Sequence, residues 1–221
     1  YHKSGLATFP VRLAIEIAGR CLQYMGREKL TIYDPMCGEA YLLTVIAAWY
    51  HHRIEKIYAS DISEEALEFA SKNLSLLSPS GLAKREEELN LLYESYQKIQ
   101  HQEALKSLKR IRGFLSEPEI HTFQKNILPS STSMGNPFQA DIILTDVPYG
   151  SMVDWSEDLS SPIDRMLDNL IVHLRGESVM ALVTTKRQKW VHSAFERREK
   201  FMVGKRKVEI LQLKKEATLK E

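Results

Sequence analysis

Two cysteines, Cys21 and Cys37, are all that 221 residues contain, too few for a disulfide framework or a cysteine-based metal site. A reducing cytoplasm is the expected setting. No apolar run approaches the roughly 20 residues of a membrane-spanning helix, so no membrane association is expected. The first residues lack the order of a secretory signal peptide. Because the chain opens on Tyr1 rather than Met, a few leading residues are expected to precede it. The glycines never fall into G-x-G-x-x-G, which argues against a nicotinamide dinucleotide site. His51, His52 and His192 have no partners at ligand spacing, so no metal is expected. Strong charge of either sign is also missing, the formal net charge being +1.

What is present is an ordinary globular composition, 43% hydrophobic and 27% charged, enough to close a sizeable core. The charge is unevenly spread. From Lys186 to Glu221 twelve Lys and Arg face five Glu, an excess of seven. Such an excess suits a phosphate backbone, although a solvated surface has the same look.

Apolar residues at Leu6, Val11, Ile15, Ala18, Leu22 and Met25 predict a helix over 5–25, stopped at Gly26. Leu30–Tyr33 predicts a strand entering Asp34-Pro35, Glu39–His52 a helix, and Ile54–Ser60 a strand ending at Asp61. Ser63 caps a helix to about Leu77, which Ser78-Pro79-Ser80-Gly81 is expected to stop. Over 83–116, Leu89, Leu92, Tyr96, Ile99, Leu105 and Leu108 recur at helical intervals and predict one long or two shorter amphipathic helices. A weak strand over Ile120–Gln124, a polar loop over 129–137 and a buried strand over 141–145 follow. Then come a lid-like segment 151–161, a helix Ile163–Leu174, a strand Ser178–Thr184, a short helix near 190–198, and a hairpin turning at Gly204-Lys205. Strands alternating with helices predict an α/β fold of Rossmann-like type. The expectation is a mostly parallel seven-stranded sheet with helices on both faces and a closing antiparallel hairpin. One domain over 1–221 is expected, with an N-terminal helix in 1–26 and a helical insertion over 82–117 after the second strand.

In an open α/β sheet, ligands bind beyond the carboxyl ends of the strands. Three such ends carry an acid. Asp34-Pro35-Met36-Cys37-Gly38-Glu39-Ala40 joins the first strand to its helix, where small residues allow close backbone approach and the helix N-terminus offers free N–H groups. An acid there repels a pyrophosphate and welcomes an ammonium. Asp61 ends the second strand, where a carboxylate can take both hydroxyls of a ribose. Each acid alone reads equally as a helix cap. Together they fit a ligand with an amino-acid head and a ribose but no phosphate, which is S-adenosylmethionine. Asp146-Val147-Pro148-Tyr149 ends the strand 141–145 and supplies an acceptor, a stiff backbone and a flat ring for a nucleobase.

These residues resemble the class I S-adenosylmethionine-dependent methyltransferases, Asp-Val-Pro-Tyr being a variant of the (Asp/Asn)-Pro-Pro-Tyr motif of enzymes that methylate planar nitrogens. Further stretches are similar to the avilamycin-resistance 23S rRNA methyltransferase family: Phe9-Pro10-Val11-Arg12-Leu13-Ala14, Tyr41-Leu42-Leu43-Thr44, Ala59-Ser60-Asp61, Lys72-Asn73-Leu74 and Leu76-Leu77-Ser78-Pro79. The resemblance covers most of the chain and thins beyond about residue 155. It implies a methyltransferase acting on a base nitrogen, guanine in particular, of large-subunit 23S rRNA, with S-adenosylmethionine as cofactor, in a monomer. By the same resemblance, Asp34, Gly38 and the nearby turn with Pro35 and Cys37 hold the methionine part, Asp61 the ribose and Asn126 the adenine, with Tyr41 and Ile62 also among the cofactor-binding residues. Asp146, Pro148 and Tyr149 hold the target base, and Trp155 stacks on it. Arg12 is an RNA contact on resemblance alone. Lys186, Arg187 and Lys189, just past a strand's carboxyl end, are expected to touch phosphate. Two departures stand out: Ala40 where the family has Gly, and Asn126 where Asp is common. A tRNA or DNA base methyltransferase, and a non-catalytic S-adenosylmethionine-fold RNA-binding protein, remain alternatives.

Overall fold

The computed structural model describes residues 1–2, 9–115, 117–128, 138–147 and 162–215. Its centre is a seven-stranded sheet ordered β3-β2-β1-β4-β5-β7-β6. The strands are β1 Leu30–Asp34, β2 Ile54–Asp61, β3 Glu119–Gln124, β4 Ala140–Asp146, β5 Leu174–Thr185, β6 Phe195–Val203 and β7 Arg206–Leu213. The first five pair in parallel, while β7 runs antiparallel to both β5 and β6. The strand order reverses at β1 and β4, which opens a crevice at their carboxyl ends, the usual ligand position in such sheets.

β1 and β4 are buried along almost their whole length because both sheet faces are covered. One face carries Ile32, Ala59, Ile142, Leu144, Val183 and Val208, packed under α1 Val11–Leu22, α2 Tyr41–Trp49 and α3 Glu64–Ser75. The other carries Tyr33, Ile143, Met180, Leu182 and Leu211 against Ile163, Met166, Leu167 and Leu170 of α6 Pro162–Ile171. Burying a side chain such as Ile17 of α1 or Leu167 of α6 contributes about 1.5–3 kcal/mol each.

The buried stripe of α1 is Leu13, Ala14, Ile17, Ala18 and Cys21; of the predicted face Ala18 is buried, whereas Val11, Ile15 and Leu22 are not. Small Ala14, Ala18 and Cys21 let the helix approach the sheet closely. Bulky Val11 and Ile15 are turned to an apolar groove shared with α2 and α3. The helix ends at Leu22 with Gln23 as its C-cap, three residues before Gly26. Leu6 lies outside the described residues. Ser63 does cap α3, accepting from the Ala66 N–H at 3.2 Å.

Ser78-Pro79 starts a helix instead of ending one. The Ser78 hydroxyl accepts from Gly81 N–H at 3.1 Å, and Pro79 takes the first turn, where its missing N–H costs nothing. The inserted segment is therefore two helices, α4 Pro79–Tyr96 and α5 Ile99–Ile111, joined through Gln97 in the left-handed conformation. They close a small core of their own around Leu82, Leu89 and Leu108. Tyr96 and Ile99 flank the turn and are exposed, against the face predicted for them. The helix expected near 190–198 is a strand: β6 runs Phe195–Val203 as the outer half of the closing hairpin. Its alternating exposure serves an edge strand. Among the described residues no helix is long and apolar enough to cross a membrane.

Candidate active site

Strand register places the site. Ile32 of β1 lies opposite Ile142 of β4, so Asp34 emerges on the same face as Leu144 and Asp146. Asp34 pairs with Ala59 of β2, and Asp61 lies two residues further on that face. Across the sheet Asp146 pairs with Val183, Val183 with Val208, and Thr185 with Arg206. Three carboxylates and one guanidinium thus leave one sheet face at its carboxyl edge.

Asp34 is 2% exposed. Its Oδ1 accepts the Met36 N–H at 3.0 Å, which bends the chain into the turn. Burial pushes its carboxyl up to about 8, and Asp61 and Asp146 add to the rise. The Met36 N–H and the nearby Thr145 hydroxyl oppose it only in part, and among the described residues no Lys or Arg stands among its main influences. Thr145 itself makes no well-shaped hydrogen bond among the described residues. The opposite end of β4 offers a contrast. Buried Asp141 accepts from the Thr31 N–H at 2.8 Å and lies 3.6 Å from Arg175 and 3.9 Å from Arg27. It is a compensated structural acid, whereas Asp34 lacks a cation.

The turn 35–40 is held from three sides. Cys37 N–H donates to the Ser60 carbonyl at 2.9 Å, and the Ser60 hydroxyl donates to the Pro35 carbonyl at 3.2 Å. Gly38, at φ +52°, donates its N–H to Asp61 Oδ2 at 2.9 Å. From α3, buried Asn73 donates to the Glu39 carbonyl at 2.9 Å. Ala40 takes φ 53° as the N-cap of α2, a left-handed conformation that costs an alanine roughly 1 kcal/mol or more. The Cys37 thiol is buried, and burial pushes it well above the ordinary thiol range. A nucleophilic role does not suit it.

Asp61 also accepts from the Ser63 N–H at 3.0 Å on Oδ1. Ile62 beside it is 62% exposed, an apolar surface at the sheet edge. Asn126 follows β3 and is half-buried; its Oδ1 accepts the Leu128 N–H at 3.0 Å, leaving the amide nitrogen for another partner. Tyr41 opens α2, but its side chain lines the groove with Val11, Ile15 and Trp49. The lining of that groove includes none of the three carboxylates.

Asp146 is pushed up to about 6 by burial, with Arg206 pulling the other way. Its Oδ2 lies 3.8 Å from Arg206 Nε. Its Oδ1 is buried with no hydrogen-bond partner among the described residues. Pro148, Tyr149 and Trp155 lie outside the described residues, as do the polar loop 129–137 and the segment 151–161.

Lys186, Arg187 and Lys189 are exposed on the turn after β5, while Gln188 and Trp190 are half-buried. That alternation has an internal cause. Glu209 of β7 is buried, with Trp190 Nε1 at 2.9 Å, Arg197 at 2.8 Å and Lys207 Nζ at 3.0 Å around its carboxylate. Burial alone would raise its carboxyl, but these donors hold it below the usual range. Lys207 also donates to the Gln188 carbonyl at 2.8 Å, and Gln188 accepts from Thr185 N–H at 2.8 Å. The turn is thereby fixed with its cations outward. Arg12 is exposed on the first turn of α1. His192 bonds Asp168 at 2.9 Å, and among the described residues no group of three or more potential ligands is arranged for a metal ion.

Sequence reasoning missed Asn73, Thr145, Arg206 and Glu209. Buried-side registers reveal them; Asn73 had a visible signal in the Lys72-Asn73-Leu74 stretch and Thr145 in its place just before Asp146.

Comparison with known proteins adds an independent line. Residues 1–206 match the family described as rRNA methyltransferase AviRa. A curated relative from Streptomyces viridochromogenes, the 23S rRNA (guanine(2535)-N(1))-methyltransferase, is 33% identical over 198 residues, covering 83% of this chain and 77% of the relative. The solved rRNA methyltransferase aviRa of the same organism superposes with a TM-score of 0.82 at 29% identity, covering 96% of this chain and 88% of that one. A putative methyltransferase, yhhF from Escherichia coli, matches at TM-score 0.57 and 10% identity over 96% of this chain and 89% of its own, a likeness of fold alone.

Proposed function

The chain belongs to the AviRa rRNA methyltransferase family, and from that premise we propose that it methylates N1 of a guanine in 23S rRNA with S-adenosylmethionine as donor. The observation that carries the reading is the grouping of Asp34, Asp61 and Asp146 on one sheet face, with Asp34 buried among acids and without a cation. Such a floor suits a ligand that brings positive charge of its own. S-adenosylmethionine carries an ammonium and a sulfonium and lacks phosphate. When bound it supplies an electrophilic methyl group.

Asp34 takes the ammonium and ionises in doing so. Pro35, Cys37 and Gly38 bring backbone close to the methionine part, with Tyr41 at the start of the following helix. Asp61 accepts the ribose hydroxyls with lone pairs left over from Gly38 and Ser63, and Ile62 and Asn126 flank the adenine. Asp146 accepts a hydrogen bond from the guanine edge. Pro148, Tyr149 and Trp155 complete the base site by resemblance. Lys186, Arg187, Lys189 and Arg12 meet phosphate. A base in a loop or at an end is the accessible target, since chemistry on a stacked base requires it to be turned out. Most of the acceleration comes from positioning, because an in-line methyl transfer asks little beyond an oriented nucleophile.

The test is transfer of labelled methyl to purified 23S rRNA, tRNA and DNA, followed by mass-spectrometric mapping of the product. Label in a 23S rRNA guanine is expected. Label confined to tRNA or DNA overturns the substrate, and absence of S-adenosylmethionine binding at millimolar ligand overturns the enzyme. Asp146→Ala is expected to lower turnover by at least a hundredfold while cofactor affinity stays within a few-fold.

A further inference from the structure

Arg206 opens β7 just after the Gly204-Lys205 turn, and the antiparallel course of that strand brings its first residue to the carboxyl edge of the sheet. Its Nε is buried with no hydrogen-bond partner among the described residues, and Asp146 Oδ1 is in the same condition. The other oxygen of that carboxylate, Oδ2, lies 3.8 Å from the Nε, an ion pair beyond hydrogen-bond distance. The guanidinium also sits over the Phe9 ring, 5.1 Å from its centroid, which fixes its plane from the side of the segment leading into α1. Unpaired buried donors and acceptors are costly, and a side-by-side pair of them describes the edge that would satisfy both.

We propose that Arg206 and Asp146 together read the Watson–Crick edge of the target guanine, Arg206 donating to O6 and Asp146 accepting from N1–H. This rests on the guanine reading above and assigns Arg206 a role in it. A donor beside an acceptor matches O6 beside N1–H. Adenine presents the reverse, an N6 amino donor beside the N1 acceptor, so it places donor against donor and acceptor against acceptor. Site polar groups left unpaired in this way produce strong discrimination.

The same pair serves the reaction. As Asp146 takes the N1 proton, the negative charge left on the ring gathers at O6, against the guanidinium. The N1 electron pair attacks the methyl carbon, and the electrons of the breaking carbon–sulfur bond pass to sulfur, giving a neutral thioether. The proton on Asp146 returns to solvent after the product leaves. The described groups that bear on the Asp146 carboxylate are Arg206 from β7 and Asp34 from β1. Arg206 holds that carboxyl down against burial, so removing the guanidinium moves its titration upward.

The experiment uses a 23S rRNA transcript with its methylated guanine mapped beforehand, and the same transcript with adenine at that position. Binding is measured in the presence of S-adenosylhomocysteine, and single-turnover rates from pH 5.5 to 9. Wild type is expected to favour the guanine transcript at least tenfold in affinity. In Arg206→Met that preference falls at least threefold, the part owed to Asp146 remaining, kcat falls at least a hundredfold, KM for RNA rises by no more than the preference falls, and the acid limb of the rate profile moves to higher pH. Arg206→Lys keeps a cation over Phe9 and is expected to lie between the two. Unchanged S-adenosylhomocysteine affinity certifies the fold of each variant; if the Met variant fails that check, the Lys variant carries the decision. A folded variant that keeps wild-type guanine preference and an unmoved profile overturns the role of Arg206. Failure of wild type itself to methylate the transcript overturns the guanine-N1 reading instead.

Discussion

The carboxyl of Asp34, pushed up to about 8, ties cofactor binding to proton release. At pH 6 roughly one molecule in a hundred has this group ionised, and at pH 7 roughly one in eleven. If the ammonium of the ligand requires the carboxylate, affinity rises about ninefold between those pH values. The ligand's own α-amino group, with an ordinary value near 8, stays charged across that window and adds little. At pH 7 binding should therefore release close to one proton. Calorimetry in two buffers of different ionisation heat reads both the slope and the proton count. Asp34→Asn places a neutral isostere in the site and should bind weakly with a flat profile. An Asp34 carboxyl raised above its unfolded value binds a proton that the unfolded chain has lost. Its contribution to stability is present below about pH 4 and disappears as pH climbs toward 8, by about 1.4 kcal/mol per pH unit. The Asn variant should lose that slope too. Wild-type affinity that is flat from pH 6 to 7, or an Asn variant that keeps the ninefold rise, refutes the coupling.

The basic turn and its support give two more tests. Replacing Lys186, Arg187 and Lys189 together by Glu should weaken RNA binding and lower the slope of log affinity against log salt by about two to three, at 0.7–0.9 per lost phosphate contact; an unchanged slope places them off the RNA. Glu209→Gln removes the charge that gathers Trp190, Arg197 and Lys207, at a cost of roughly 1–3 kcal/mol for buried donors left without their acceptor. Its melting temperature should drop and its RNA affinity fall with cofactor affinity unmoved, and intact RNA affinity in the destabilised variant would show that the turn needs no such support.

The parallel strands and their three acid-bearing ends were readable because each depends on local pattern: an apolar run, then Asp. The face that α1 buries was legible only at Ala18, since Val11 and Ile15 are larger and more apolar than Ala14, and only close packing against the sheet favours the small residue. Ser78-Pro79 was ambiguous in principle. The same dipeptide that breaks one helix supplies the cap and first turn of another, and the choice rests on Leu82 and Leu89 finding Leu108. Phe195–Arg198, the first part of β6, looked helical because an exposed edge strand carries charges on both faces. Arg206 was hidden in a run of surface-like cations, Lys205-Arg206-Lys207. The alternation of β7 sends Arg206 toward Asp146 and Lys207 toward Glu209, a separation that exists only once the strand's register is known. Ala40, flagged as a departure, stands in a left-handed conformation where glycine carries no penalty, and the burial of its methyl group offsets part of that cost.

The electrostatics of this edge divide into a floor and a rim. The floor holds Asp34, Asp61 and Asp146, acids that on the proposed reading disfavour phosphate and suit a cationic cofactor, Asp34 once it has given up its proton. The rim, at Lys186, Arg187 and Lys189, does the opposite. Each surface therefore rejects the ligand of the other, and an RNA strand held at the rim can reach the floor only through a neutral base turned out of the stack. On that division a guanidinium in the floor is out of place: Arg206 weakens the attraction for a sulfonium ligand and leaves its own Nε unpaired. On the proposed reading, a guanine losing its N1 proton gathers negative charge nearby and offsets that cost. It follows that Arg206→Met should bind S-adenosylmethionine at least as tightly as wild type while failing at the base, a pairing of effects that a purely structural arginine would not produce.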